Sequence, residues 1–182
     1  MRRPFLFALA LATLLVESTL AFAAPPTQRF LRIASAGGVY KLTGKVEKPA
    51  TDSVHRLVID ATSDETTAMG INRHLESAAR ALNLYALAGV SNDNVKVAVV
   101  IHGKATPAVL SSDIYRRKFG RSNRDVALID DLKNAGVEII VCGQALTQQG
   151  FAVSDVHKNV RVSLSAMTAL VDLQGKGYAL IP

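Results

Sequence analysis

Two residues of this chain are of types that do covalent chemistry and stand where a fold could use them. One is Cys142 in "GVEIIVCGQALTQQG", the other His102 in "VKVAVVIHGKA". Each follows a β-branched apolar run that reads as a strand. A thiolate is a nucleophile towards sulfur, and an imidazole is the side chain best suited to take a thiol proton near neutral pH. Cys142 is the only cysteine in 182 residues, so an intramolecular disulfide is excluded. The opposing reading is that cysteine is among the most buried residue types and behaves as an inert small hydrophobe. The residues after Cys142 open a helix, whose terminus contributes ~0.3–1 kcal/mol towards a negative charge. That is less than one pKa unit at about 1.36 kcal/mol, so a helix start alone leaves a free thiol of pKa ~8.5 mostly protonated at neutral pH. A second group is required. His102, Lys104 and the Arg116-Arg117-Lys118 cluster are the candidates, and the residues by themselves leave both readings of Cys142 open.

Other signatures of chemistry are missing. The sequence has no G-x-S-x-G elbow, no Walker A loop and no G-x-G-x-x-G following a strand. It has neither H-E-x-x-H nor C-x-x-C, and His55, His74 and His157 lack metal-ligand spacing. No metal or other cofactor is implied. A metal or haem site on His102 and Cys142 would need further ligands that the sequence does not offer. His74 sits beside the apolar stripe of a helix and reads as structural.

The elements that must position Cys142 and His102 alternate along the chain. "HRLVIDA" (55–61), "VKVAVVIHG" (95–103), "VEIIV" (137–141), "VRVSL" (160–164) and "YALIP" (178–182) read as strands. A helical stripe of Ile71, Leu75, Ala78, Leu82 and Tyr85 separates the first two, with Thr66 or Thr67 as N-cap and Gly89 as stop. Segment 104–120 is mixed, with short helices. A further helix follows it, with a capping box of Ser122 and Asp125, a stripe of Val126, Ile129 and Leu132, and an end at Gly136. Strand–helix alternation with continuous apolar strands specifies an α/β fold: a three-layer α/β/α sandwich on a mostly parallel sheet of about five strands. Such sheets place their sites beyond the carboxyl ends of the strands. There lie Asp60 to Ser63, then His102, Gly103 and Lys104, then Cys142, Gly143 and Gln144, and finally Ser165. If the second and third strands are neighbours, His102 and Cys142 share one crevice. Gly103, Lys104, Gly143 and Gln144 are then its binding residues.

The first 23 residues read as a secretory signal peptide. Arg2 and Arg3 precede an apolar run from Phe5 to Val16, and Ala21-Phe22-Ala23 supplies the cleavage pattern. Glu17 leaves the uncharged stretch shorter than the ~20 residues that span a bilayer, and no later segment is apolar enough for stable membrane insertion. Cleavage takes Lys+Arg from 21 to 19 and Asp+Glu from 15 to 14, so the net charge moves from +6 to +5. Residues 24–54, rich in glycine and proline, read as a poorly structured or loosely attached extension, with "GGVYKL" as a short strand or docking arm. Residues 55–182 are the domain. The cations are dispersed apart from "YRRKFGRSNR" (115–124), read as a solvated basic loop, and no tryptophan or aromatic stacking pattern accompanies them. Nucleic acid is therefore not an expected partner.

Taken together, "VKVAVVIHGKA", "LIDDLKNAGVEIIVCGQALTQQGF" and "VRVSLSAMTALVDLQGKGYALIP" resemble the DsrE/DsrF-like family, in particular its secreted branch. The likeness runs from about His55 to Pro182. It implies a three-layer α/β domain that assembles into trimers or hexamers, with sulfur relayed as a cysteine persulfide. The family's sulfur-carrying cysteine lies after a sheet strand, at a place Cys142 matches. Its well-studied carriers are cytoplasmic, so an exported chain would not meet their partners, and transfer-RNA thiolation is not its expected role. Two functions are therefore in play. One is a periplasmic sulfurtransferase or sulfur carrier using Cys142 and His102, with a sulfur donor or acceptor protein as partner. The other is a non-catalytic oligomeric binding or scaffold domain in which Cys142 is merely packed.

Overall fold

The computed structural model describes residues 25–182; the expected signal peptide, residues 1–23, lies outside them. Five strands form one parallel sheet: β3 (His55–Ala61), β4 (Val95–Ile101), β5 (Glu138–Cys142), β6 (Arg161–Ser163) and β7 (Ala179–Ile181), in the order β6-β5-β4-β3-β7. A separate antiparallel pair, β1 (Gln28–Arg29) and β2 (Val39–Tyr40), precedes it. The expected parallel α/β architecture is the one observed.

The order explains the layering. From β3 the chain steps one way through β4 and β5 to β6, then crosses back to lay β7 on the other side of β3. Right-handed crossovers put helices of the outward steps on one face and the helix of the return step on the other. Side chains alternate accordingly. Leu57, Ile59 and Ala61 of β3, Val97, Val99 and Ile101 of β4, and Ile139 and Val141 of β5 share a core with α1 (Arg73–Ala88) and α3 (Val126–Asn134). Val58, Ala98, Val100, Ile140 and Cys142 turn to the opposite face, against Ala166, Ala169 and Leu173 of α5 (Ala166–Gly175). Both faces are covered, which is why the strands read as unbroken apolar runs.

Helix termini depart from the sequence expectation in detail. α1 starts after Asn72, whose side chain accepts the His74 N–H at 3.0 Å; Thr66 and Thr67 lie in the preceding loop. The expected capping box of Ser122 and Asp125 does not form. Asp125 is the N-cap residue of α3, yet its carboxylate turns away to accept the Asn72 N–H at 2.7 Å. One buried side chain thereby ties the starts of two helices, and this tertiary bond prevails over the local cap. The two stop signals behave as expected: Gly89 closes α1 at φ 90°, and at Gly136 (φ 86°) the chain leaves α3.

The extension is where composition misleads. Residues 41–54 are exposed, but residues 31–39 dock on α1, with Ile33 and Ala36 buried. Asn83, fully buried in α1, accepts the backbone N–H groups of Leu31, Arg32 and Ile33 at 2.7–3.1 Å. It also donates to the carbonyls of Ile33, Ala36 and Gly37 at 3.0–3.1 Å. Gly37 (φ 68°) lies so close to α1 that a Cβ would stand 2.2 Å from the Arg80 nitrogen. Gly37, one of the glycines that suggest a loose segment, lets backbone pack on backbone.

Candidate functional site at the carboxyl ends of β3, β4 and β5

Cys142 ends β5. Ile101 pairs with Val141, so His102 and Cys142 stand next to each other one step beyond that pair. The alternation that turns Ile101 and Val141 to the α1 side turns His102 and Cys142 to the α5 side. The strands β4 and β5 are therefore the neighbours that a shared crevice requires.

On the β3 side of His102 lies Asp60, which the sequence reading placed at a strand end without assigning it a role. Asp60 sits between Ile59 and Ala61, both turned to the α1 core, so its carboxylate faces the α5 side as well. His102 Nε2 and Asp60 Oδ1 are 2.7 Å apart, and both side chains are a little over a quarter exposed. The backbone fixes this pair: His102 is extended, and its N–H donates to the Ala61 carbonyl at 2.9 Å, prolonging the β3–β4 ladder by one residue. A carboxylate directly after the apolar run Leu57–Ile59 of β3 was the signal available in the sequence.

Cys142 is 6% exposed and packs among Ala145, Ala166 and Ala169. Its Sγ accepts the Ala145 N–H at 3.4 Å at the start of the six-residue α4 (Gly143–Gln148). The His102 ring is bonded to Asp60 and makes no hydrogen bond to the thiol. Gly143 is required by contact, since a Cβ there would meet the Ser163 carbonyl oxygen at 2.9 Å. Gln144 is exposed and reaches the Leu164 carbonyl at 3.4 Å. Gly103 takes φ 56°, and its carbonyl accepts the side-chain N–H of Gln149, just past α4, at 2.8 Å. That bond joins the loop after β4 to the helix after Cys142.

Lys104 is not brought to the thiol. It lines a separate cleft of about 740 Å³, with Thr66, Tyr115, Arg121, Arg124 and Asp125, which includes neither Cys142 nor His102. Arg116, Arg117 and Lys118 lie at the end of α2 (Ser112–Phe119), where the Arg121 guanidinium stands 6.0 Å over the Tyr115 ring. Burial pushes the Asp125 carboxyl up to about 6, against the lowering effect of the Asn72 N–H. Among the described residues no group of three or more His, Cys, Asp or Glu side chains is placed to hold a metal ion.

Comparison with known proteins agrees with the fold. A solved structure of a protein of unknown function from Methanobacterium thermoautotrophicum, MTH1491, superposes with a TM-score of 0.54 at 21% identity, covering 70% of this chain and 97% of that one. At that identity the likeness shows the shared fold. No curated protein matches the chain in sequence. The model of the DsrE/DsrF-like family matches residues 56–182, which span all five strands of the parallel sheet but for the first residue of β3, together with Asp60, His102 and Cys142. With most of its length matched, the chain belongs to the DsrE/DsrF-like family.

Proposed function

We propose that the protein handles sulfur outside the cytoplasm, carrying sulfane sulfur as a persulfide on Cys142. Family membership implies a function of the sulfur-relay type. The observation that carries the finer reading is the register: it sets the only thiol and an imidazole side by side on one face at the carboxyl end of a parallel sheet. In the step proposed, the thiol proton passes to His102. The thiolate then attacks the outer sulfur of a donor such as thiosulfate. A Cys142 S–S bond forms, the donor's S–S bond breaks, and sulfite leaves with the electron pair. An acceptor thiolate takes the outer sulfur in turn, regenerating Cys142. Export rests on the Arg2-Arg3, Phe5–Val16 and Ala21-Phe22-Ala23 pattern, and a mature terminus at Ala24 on purified native protein would support it.

The test is intact mass after exposure to thiosulfate or polysulfide. One added sulfur atom is expected on the native protein and none on Cys142→Ser. A thiol that iodoacetamide reaches only in denaturant would sink the carrier reading. The low exposure of Cys142 favours a second reading, a binding or scaffold domain with a packed thiol. Under either reading a second copy of the chain is the proposed partner. Leu164, Met167, Val171, Leu180 and Ile181 are 42–77% exposed on and beside α5 and β7, an apolar surface suited to the trimer or hexamer that the family implies.

A further inference from the structure

We infer that Asp60 is the positioning residue of the site: it holds the His102 ring by Nε2, so that Nδ1 is the nitrogen that takes the Cys142 proton. This rests on the reading of Cys142 as a working thiol and assigns the residue that reading lacks. Two observations and one rule of hydrogen bonding carry it. The Nε2–Oδ1 separation is 2.7 Å. An ionised carboxylate only accepts hydrogen bonds, so Nε2 carries the ring proton and Nδ1 is left as a lone pair. Finally, Asp60, His102 and Cys142 lie on three adjacent strands, β3, β4 and β5, with side chains on the same face.

The placement of Asp60 also needs a reason beyond packing. The rest of β3 is apolar from Leu57 to Ile59, and Ala61 closes it. A carboxylate here, partly withdrawn from water, costs free energy unless it is paired. Its hydrogen-bond partner is the one imidazole at the sheet's carboxyl edge. Proton transfer from the thiol to Nδ1 leaves a thiolate and an imidazolium whose charge Asp60 balances, with the Nε2 proton remaining between ring and carboxylate. The ring and thiol are not hydrogen-bonded in the unliganded protein; bonds of this kind tighten when the reacting partner enters.

The test measures iodoacetamide alkylation of Cys142 across pH in the full-length mature protein, for the native chain, Asp60→Asn, Asp60→Glu, His102→Ala and the double variant Asp60→Asn/His102→Ala. Asp60→Asn is expected to slow alkylation about tenfold near neutral pH and to move the profile to higher pH, with the rates converging in alkali. Asp60→Glu restores part of the rate. In the His102→Ala background, Asp60→Asn has no further effect. Nitrogen NMR of the imidazole supplies a readout that packing alone would not move: the Nε2–H tautomer in the native protein, and a mixture in Asp60→Asn. An unchanged profile in Asp60→Asn overturns the inference, as does equal slowing with and without His102. A thiol that alkylates with this profile yet never gains sulfur sinks the carrier reading and leaves Asp60 its role. Sulfur uptake that is indifferent to Asp60→Asn does the reverse, and a thiol reactive only in denaturant overturns both.

Discussion

The two faces of the sheet are built to different standards. The α1/α3 face is a thick layer of leucine, isoleucine and valine, sealed further by the docked arm at residues 31–39. The α5 face is covered by one ten-residue helix. It packs through Ala166, Ala169 and Leu173, and the strand residues beneath it include Ala98 and Cys142. Small side chains let α5 lie close, but they bury less apolar area and hold it less firmly. The candidate site groups all turn to this thinner side, Asp60, His102 and Cys142 alike. The thick face supplies most of the buried apolar area, and the candidate site lies on the thin one, with Cys142 itself buried there.

The sharpest way to break this contrast is to cut the same side chain on each face. Leu75→Ala on the thick face should cost about 3–5 kcal/mol, because its rigid surroundings cannot close the cavity. Leu173→Ala should cost about 2 kcal/mol, since its alanine neighbours leave α5 free to settle. Urea denaturation of both variants measures this, and a Leu173→Ala cost equal to or above that of Leu75→Ala would end the argument.

Next in size is Asp125, buried in the cleft beyond the thick face. Its carboxyl is raised from the ordinary 3.8 to about 6, chiefly by burial. The folded chain therefore keeps this proton where the unfolded chain has lost it. The group's contribution is most favourable at low pH and is lost as pH rises from 3.8 through about 6. At about pH 8 the ionised carboxylate opposes folding by a few kcal/mol, an order-of-magnitude figure from about 1.36 kcal/mol per pKa unit. Asp125→Asn keeps an acceptor for the Asn72 N–H and removes the charge. It should raise stability by about 1–3 kcal/mol at about pH 8, with the gain vanishing near pH 4. A gain independent of pH would show that charge burial is not its cause.

The smallest effect on stability belongs to the outer side of α5. Met167→Asp replaces a side chain 77% exposed and should leave the unfolding free energy of dilute protein in urea within about 0.5 kcal/mol of the native value. The same change should reduce the mass seen by light scattering at micromolar concentration to that of a single chain. An oligomer that survives it is not assembled through this face, and a native chain that is already monomeric removes the assembly proposal altogether.

Some of this was readable without coordinates. The strands of the sheet, their parallel arrangement and the glycine stops at Gly89 and Gly136 are local statements. They follow from periodicity and from backbone conformations that glycine alone adopts easily. Cys142 and His102 were picked out as candidates from their places after apolar runs. The N-caps were not, because Asn72 and Asp125 serve each other across 53 residues and no local pattern encodes that bond. "GGVYKL" was legible as a short strand or docking arm, but its anchor was not, for the same reason: a single Asn83 within α1 satisfies the backbone of a segment about fifty residues earlier.

What the sequence determined by itself is the class of the fold, and it singled out two candidate side chains, Cys142 and His102. Both are set by residue type and by short-range period. What only the tertiary structure decided is who stands beside whom. Strand order made β4 and β5 neighbours and put β3 on the far side of His102. Side-chain alternation then brought Asp60 to the ring and left Lys104 in another cleft. Those pairings depend on hydrogen bonds between strands and on the handedness of the crossovers, and neither is a property of any stretch of chain taken alone.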